Sequence, residues 1–427
     1  MCSGNVFSRF LPRPAYSGDT RHLTMPREFK VDSSRREWLS ASILASGAIL
    51  LGAESLFSPA FTPNSGELQS KSPKQSEFPG GRQIGACEFV GEPRVPMDVV
   101  LGDELDGRLY TDLSSLKFDE PAIPTERFFI RTRASRLLDA STSWLVRVGS
   151  ARRETIVTMQ DIVREAAPQG IHLVECAGNT RDSHFGMIGV ADWAGVTISK
   201  LSEWLQITDR ATRILISGFD TYSAPSVSSI PGASWIFSWD DLLSANAFLA
   251  TRMNGQPLTP DHGAPVRLIV PGWYGCTSIK WVNAISIVGD EAAATSQMQE
   301  YAFRTHQQGV PKLSREFEPA KPDPVAMPTR VEKWIVNNQI KYRVVGIVWG
   351  GSQLVSDIQI RFNPEEDFVA VENVQNSRSD SWAFWTQTWA PRKPDTYVIR
   401  LRVADPSVRT RRLDMGFYAR TVRITEV

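Results

Sequence analysis

Cys176 lies in the segment Glu175-Cys176-Ala177-Gly178-Asn179-Thr180-Arg181, where a strand-like run, Gly170 to Val174, gives way to small, turn-forming residues. A thiolate placed in such a turn can bind a soft or transition metal. Arg131 and Arg181 carry the charge that favours a thiolate and holds a small anion. Taken alone, a cysteine in an Ala-Gly-Asn turn reads more often as a small buried hydrophobe than as a ligand. Three further segments have the residue types for ligand chemistry. Phe128-Phe129-Ile130-Arg131-Thr132-Arg133 reads as a strand with Arg131 and Arg133 on one face. Asp261-His262-Gly263-Ala264-Pro265-Val266-Arg267 places a histidine and an arginine around a Gly-Pro turn. Pro271 to Trp281 is a Gly-rich turn entering a strand, whose backbone N–H groups and Lys280 could cradle a phosphate. Each of these also has a plain reading as turn chemistry or solvated charge.

The elements that must position these residues are legible in outline. Thr158 to Ala166 reads as a short helix with Thr158 as N-cap and Asp161 closing an acidic capping box. Arg213 to Ser217, Val266 to Val270 and Lys280 to Val288 read as strands, so an α+β domain is expected. Gly309 to Pro328 holds five prolines and reads as a linker. Beyond it six short runs, Arg330–Val336, Gln339–Val348, Ser356–Phe362, Trp382–Trp389, Tyr397–Val403 and Phe417–Val427, read as strands separated by turn residues, which predicts an immunoglobulin-like β-sandwich.

Composition removes several alternatives. At 427 residues the chain suggests two or three domains at roughly 150 residues each. Lys plus Arg and Asp plus Glu are both 47, and a net charge of zero argues against a nucleic-acid binder. Four cysteines without a C-x-x-C pair leave no disulfide scaffold, zinc knuckle or c-type haem attachment, and five histidines include no H-E-x-x-H. At the N-terminus, Ser34-Arg35-Arg36-Glu37-Trp38-Leu39 precedes an uncharged stretch from Ser40 to Ala53. Twin arginines before a mild apolar segment read as a twin-arginine export signal. That segment is short of the roughly 20 residues needed to span a bilayer, so no stable membrane span is expected. Ser58 to Gly81 is rich in Ser, Pro, Gly, Lys and Gln and reads as a flexible linker.

Five motifs in order resemble the sulfite oxidase family. They are Phe128 to Arg133; Cys176 to Arg181, as C-A-G-N-x-R; Gly218-Phe219-Asp220; Met253 to Leu258 with His262 to Arg267; and Val270-Pro271-Gly272 with Ser278 to Trp281. The resemblance implies an α+β molybdopterin-binding domain followed by an all-β immunoglobulin-like dimerisation domain. It implies this division: 1–57 signal region, 58–84 linker, 85–308 catalytic domain, 309–328 linker and 329–427 dimerisation domain. It implies Cys176 as the protein ligand to molybdenum. Cofactor-binding positions are then Phe129, Arg131, Arg133, Cys176, Asp220, His262, Arg267, Ser278, Ile279 and Lys280, with Arg131, Cys176 and Arg181 as catalytic residues. Trp193 matches a family tryptophan that either lines the pocket or packs beside it.

The motifs also depart from the family. Thr132-Arg133 replaces Asn-His, and Thr180 stands where many members carry arginine. The active-site tyrosine has no clear counterpart near Ser229-Ile230-Pro231, Tyr222 being the nearest, and the substrate arginine of the C-terminal domain falls near Phe384. The expected activity is oxygen-atom transfer at molybdenum to sulfite or a similar small anion in the periplasm. No haem module is recognisable in the chain, so electrons are expected to leave to an external acceptor such as a cytochrome c. The rival expectations are an S-oxide or N-oxide reductase on the same cofactor, and a cofactor-free periplasmic binding protein.

Overall fold

The computed structural model describes residue 78 and residues 80–138, 143–150, 153–205, 213–219, 233–351, 355–375 and 381–427. The twin-arginine region, most of the linker after it, Asp220, Tyr222 and Ser229-Ile230-Pro231 lie outside the described residues. Four five-stranded sheets organise the rest.

The sheet that delivers Cys176 is built on Ala167–Glu175, which pairs antiparallel with Ile188–Thr197, itself paired with Phe248–Met253. Arg267–Ile269 and Gln256–Pro257 flank Phe248–Met253. Ile188, Val190, Ala191, Phe248 and Leu249 are fully buried, the pattern of strands covered on both faces. A second sheet runs Arg153–Thr158, Leu145–Ser150, Val282–Val288, Arg213–Gly218 and Ser234–Ser238, with Leu145–Ser150 and Val282–Val288 parallel. The helices are short. Met159–Arg164 starts as its sequence predicts, Thr158 Oγ1 accepting the Asp161 N–H while the Asp161 carboxylate accepts the Thr158 N–H. Ser296–Tyr301 is capped by Thr295.

Phe128 to Arg133 is not a strand. Only Ile130 makes a bridge, to Leu109. The neighbouring carbonyls are taken by side chains from residues 259–281: Phe128 O by His262 Nε2 at 3.2 Å and Thr132 O by Lys280 Nζ. Asp261 Oδ1 accepts the Ala134 N–H at 2.7 Å. With its backbone groups engaged this way, the segment has no ladder to join.

The remaining two sheets are antiparallel. One orders Gly81–Cys87, Val325–Val336, Gln339–Trp349, Ala383–Trp389 and Asn373–Val374; the other orders Val369–Ala370, Ile358–Arg361, Asp395–Val403, Arg420–Ile424 and Phe89–Val90. Val331, Tyr342, Val344, Ile360, Ile399, Leu401 and Val422 form one core between them. Two of these strands come from residues 81–90, ahead of Phe128 to Arg133 in sequence. Gly81–Cys87 is exposed along most of its length, so it is held by its ladder to Val325–Val336 and has no apolar face for a sequence pattern to reveal. Val325–Val336 begins within the proline-rich stretch, and the terminal run holds a strand only at Arg420–Ile424, preceded by the helix Arg411–Asp414.

A second core joins the two regions. Phe128, Trp193 and Met253 pack in one cluster with Met327, Ile347, Trp349, Phe384 and Tyr418. Among the described residues no helix is long and apolar enough to cross a membrane.

Candidate active site

The strand Ala167–Glu175 ends immediately before Cys176, and a tight turn fixes the residues beyond it. Cys176 N–H donates to Met187 O at 2.9 Å, Asn179 N–H donates to Cys176 O at 2.9 Å, and Asn179 Oδ1 accepts the Met187 N–H at 3.0 Å. The thiol is buried, and Sγ accepts the Gly178 N–H at 3.4 Å. Burial pushes the Cys176 thiol up, while the Gly178 N–H and the charges of Arg131 and Arg304 pull it down.

One cavity gathers Phe129, Arg131, Cys176, His262, Arg267, Ser278, Ile279 and Lys280, together with Thr132, Cys276, Gln297 and Tyr301. Residues from four separate sequence motifs therefore meet around the Cys176 thiol. Two expected positions differ. Arg133 does not line the cavity and pairs with Asp261 at 3.2 Å. Arg181 is exposed in the turn Arg181–Ser183, where its Nη2 donates to Ala419 O at 2.7 Å. Asp220 lies outside the described residues. Trp193 packs beneath the site, 1% exposed, with the Arg267 guanidinium 5.5 Å from its ring. Phe384 is buried against Phe118.

The electrostatics favour an anion. Arg267 is buried and donates only to carbonyls, His262 O at 3.0 Å and Ser278 O at 3.3 Å. Its Nε has no hydrogen-bond partner, and among the described residues no carboxylate pairs with it. Burial alone holds its guanidinium down to about 10. A buried cation without a counter-ion costs free energy unless a ligand supplies the charge. Lys280 lines the same cavity. The Gly-rich turn contributes less than expected, because the N–H groups of Trp273, Tyr274, Thr277, Ser278 and Ile279 already donate to backbone carbonyls. A phosphate there would meet the Arg267 and Lys280 side chains, which line the same cavity. Among the described residues no three His, Cys, Asp or Glu side chains gather as a metal site. A metal at Cys176 would then draw most of its ligands from a non-protein group. Arg267, Lys280 and the Cys176 thiol fit a metal carried by a phosphorylated pterin.

Both ring nitrogens of His262 are engaged, Nδ1 with Thr259 Oγ1 at 2.7 Å and Nε2 with Phe128 O at 3.2 Å. A carbonyl only accepts, so Nε2 carries the proton and Nδ1 accepts from the threonine. His262 thus fixes the Phe128–Phe129 wall of the cavity. Burial, with Lys280 and Arg267 nearby, pushes its imidazole from 6.5 down to about 4. Between those values the unfolded chain takes up a proton that the folded chain refuses. Stability is therefore full above pH 6.5 and falls as the pH drops towards 4, by up to about 3 kcal/mol. Urea unfolding of cofactor-free protein from pH 7 to 4 should show this slope, and His262→Gln should flatten it. An unchanged slope in the variant would assign the pH dependence to other groups.

Sequence motifs gave no sign of four residues around the thiol. Glu175, 1% exposed, accepts hydrogen bonds from Trp349 Nε1 at 2.8 Å and the Tyr418 hydroxyl at 3.2 Å, with Arg412 Nη1 3.9 Å away. Tyr301, at the end of Ser296–Tyr301, lines the cavity, and burial pushes its phenol well up. Arg304 lies one turn further on, its guanidinium 5.4 Å from the Tyr301 ring. Arg412 Nη2 donates to Ala177 O at 3.0 Å and to Arg304 O at 3.2 Å, tying that turn to the Cys176 loop. A glutamate before a cysteine and an arginine after a helix are ordinary in a sequence; only their convergence marks them.

Residues 134–296 match the model of the oxidoreductase molybdopterin binding domain. Mitochondrial sulfite oxidase of Mus musculus is 28% identical over 179 residues, 38% of this chain and 32% of that protein. The Homo sapiens enzyme is 31% identical over 142 residues, 30% of this chain and 26% of that protein. The NADH nitrate reductase of Ulva prolifera is 22% identical over 301 residues, 61% of this chain and 34% of that protein. The chain thus spans about a third of the length of these curated relatives. The crystal structure of the sulfane dehydrogenase SoxCD from Paracoccus pantotrophus is similar in fold, with a TM-score of 0.57 and 15% identity over 77% of this chain and 88% of that chain.

Proposed function

This chain carries the molybdopterin-binding domain of the sulfite oxidase family, and on that premise we propose that the whole protein is a periplasmic, molybdenum cofactor-dependent oxidoreductase. Its substrate is a small oxoanion such as sulfite, and its electrons pass to an external acceptor such as a cytochrome c. The observation that carries this reading is a single cavity that holds the buried Cys176 thiol together with a buried guanidinium, Arg267, for which no carboxylate partner is found among the described residues. The names of the relatives, sulfite oxidase and nitrate reductase, point to oxoanions in the same way.

In this reading Cys176 binds the metal as a thiolate, and Arg267 and Lys280 hold the phosphate of the pterin. The bound cofactor supplies two-electron oxygen-atom transfer. Phe128, Phe129 and Ile279 keep water from the cavity, which strengthens the pull of Arg131 on an anion. Tyr301 places a phenol at the same cavity, a donor for an oxoanion oxygen. Twin-arginine export through residues 1–57, a catalytic domain at 85–308 and an immunoglobulin-like dimerisation domain at 329–427 complete the proposal. The two antiparallel sheets around one core support the last of these.

A second reading, reduction of an S-oxide or N-oxide, is favoured by the placement of Arg181 at Ala419 instead of at the cavity. Purified protein should contain molybdenum and pterin, and should oxidise sulfite with ferricyanide faster than it reduces S-oxides with a reduced viologen. S-oxide turnover without sulfite turnover would establish the second reading. Protein lacking both metal and pterin when made in a cofactor-producing host would be a binding protein.

A further inference from the structure

Two guanidinium groups are expected to hold an anion in front of Cys176, and the structure places only one of the expected pair, Arg131, at the cavity. Another guanidinium comes near the thiol from a different element. Gly178 marks the place: a Cβ added there would lie 3.5 Å from Arg304 Nη1 and 3.7 Å from Cys176 Sγ. The absent side chain of Gly178 therefore leaves a gap bounded by the thiol on one side and a guanidinium on the other. Arg304 is half-exposed, and its single ion pair among the described residues, to Glu300, is long at 3.9 Å. Its backbone is held by contrast. Arg412 donates to the Arg304 carbonyl and to the Ala177 carbonyl through one nitrogen, so the spacing between the Arg304 turn and the Cys176 loop is fixed. Arg181 is engaged with Ala419 and lies close enough to Arg420 for the two charges to repel.

We propose that Arg304, not Arg181, is the second anion-binding guanidinium at the mouth of the Cys176 cavity, and so a determinant of preference for an oxoanion over a neutral substrate. The inference rests on the proposed function for the identity of the site but not for its test. A fixed backbone with a loosely paired head group suits a residue that exchanges a weak partner, Glu300, for an arriving dianion.

Sulfate is the probe, titrated calorimetrically into the purified full-length protein at fixed ionic strength and matched molybdenum content. Arg304→Gln should weaken sulfate binding by about ten- to 100-fold, the worth of one charged hydrogen-bonding contact. Arg304→Lys should recover part of the loss, and Arg181→Gln should bind within about twofold of the parent. Gly178→Ala is an independent check, because it inserts a methyl group in ordinary contact distance of both Arg304 and the thiol, and it too should weaken sulfate. Parent-like binding by Arg304→Gln, an equal loss in Arg181→Gln, or no sulfate binding by the parent would each overturn the proposal. Metal and pterin content decides the family function separately: protein without cofactor would sink that reading while the titration still judged Arg304.

Discussion

Cys176→Ser protein should retain its fold, lose molybdenum and lose turnover by well over about 100-fold, the scale already seen when only an outer-shell partner of a metal ligand is removed. The reason is the composition of the site. Among the described residues no three His, Cys, Asp or Glu side chains gather as a metal site, burial pushes the Cys276 thiol in the same cavity well up and away from its thiolate form, and a serine hydroxyl is a far poorer ligand at neutral pH. The fold should survive because the turn is held by backbone groups and by Asn179, not by Sγ. Cys87, on the edge strand Gly81–Cys87, provides the comparison, and Cys87→Ser should behave as the parent. Metal analysis, circular dichroism and turnover on the same preparations check all of this. A Cys176→Ser protein with parental molybdenum and activity would remove Cys176 from the site.

The second large effect concerns Glu175. Its carboxylate is buried, accepts from Trp349 and Tyr418 and faces Arg412, so it joins the end of the catalytic strand to the C-terminal sheets. Burial pushes the Glu175 carboxyl up, and Arg412 with the two hydrogen bonds opposes that shift. Glu175→Ala would leave a largely buried guanidinium without its carboxylate, and an indole N–H and a phenol without their acceptor. Breaking a buried pair from one side costs about 3–5 kcal/mol, which should appear as a lower urea midpoint. Because Arg412 also holds Ala177 and Arg304 by their carbonyls, molybdenum retention should fall with stability. Glu175→Gln keeps one acceptor and should cost less, about 1.5–3 kcal/mol. An unchanged urea midpoint in Glu175→Ala would show that this carboxylate does not tie the two regions together.

The contrast between these two neighbouring residues shows where sequence reading succeeds. Cys176 is legible because its neighbours Ala177, Gly178 and Asn179 have a local job: small residues and an Asn side chain build the turn, and their order is visible along the chain. His262, Arg267 and Lys280 are legible for the same reason, each set in its own Gly- or Pro-marked turn. The capping box at Thr158 and Asp161 is equally local, and the structure reproduces it. Glu175 has no such mark. Its partners Trp349, Arg412 and Tyr418 lie more than 170 residues away, and nothing near Glu175 distinguishes it from a surface carboxylate.

Residue order along the chain is enough to specify what local backbone geometry requires: the turn around Cys176, the caps, the period-two strands such as Arg213–Gly218, and the α+β order of elements before a run of short strands. Tertiary packing is needed to direct side chains for which long-range partners compete. It made Phe128 to Arg133 an irregular wall, because His262, Asp261 and Lys280 engage its backbone groups. It drew Gly81–Cys87 into the C-terminal sheet through a ladder, an interaction carried by N–H and C=O groups that every sequence has. It turned Arg181 to Ala419 and brought Arg304 beside Gly178. A flexible arginine settles where the nearest carbonyl, carboxylate or ring gives the best combination of charge and hydrogen bonds, and those groups are assembled only when distant segments pack.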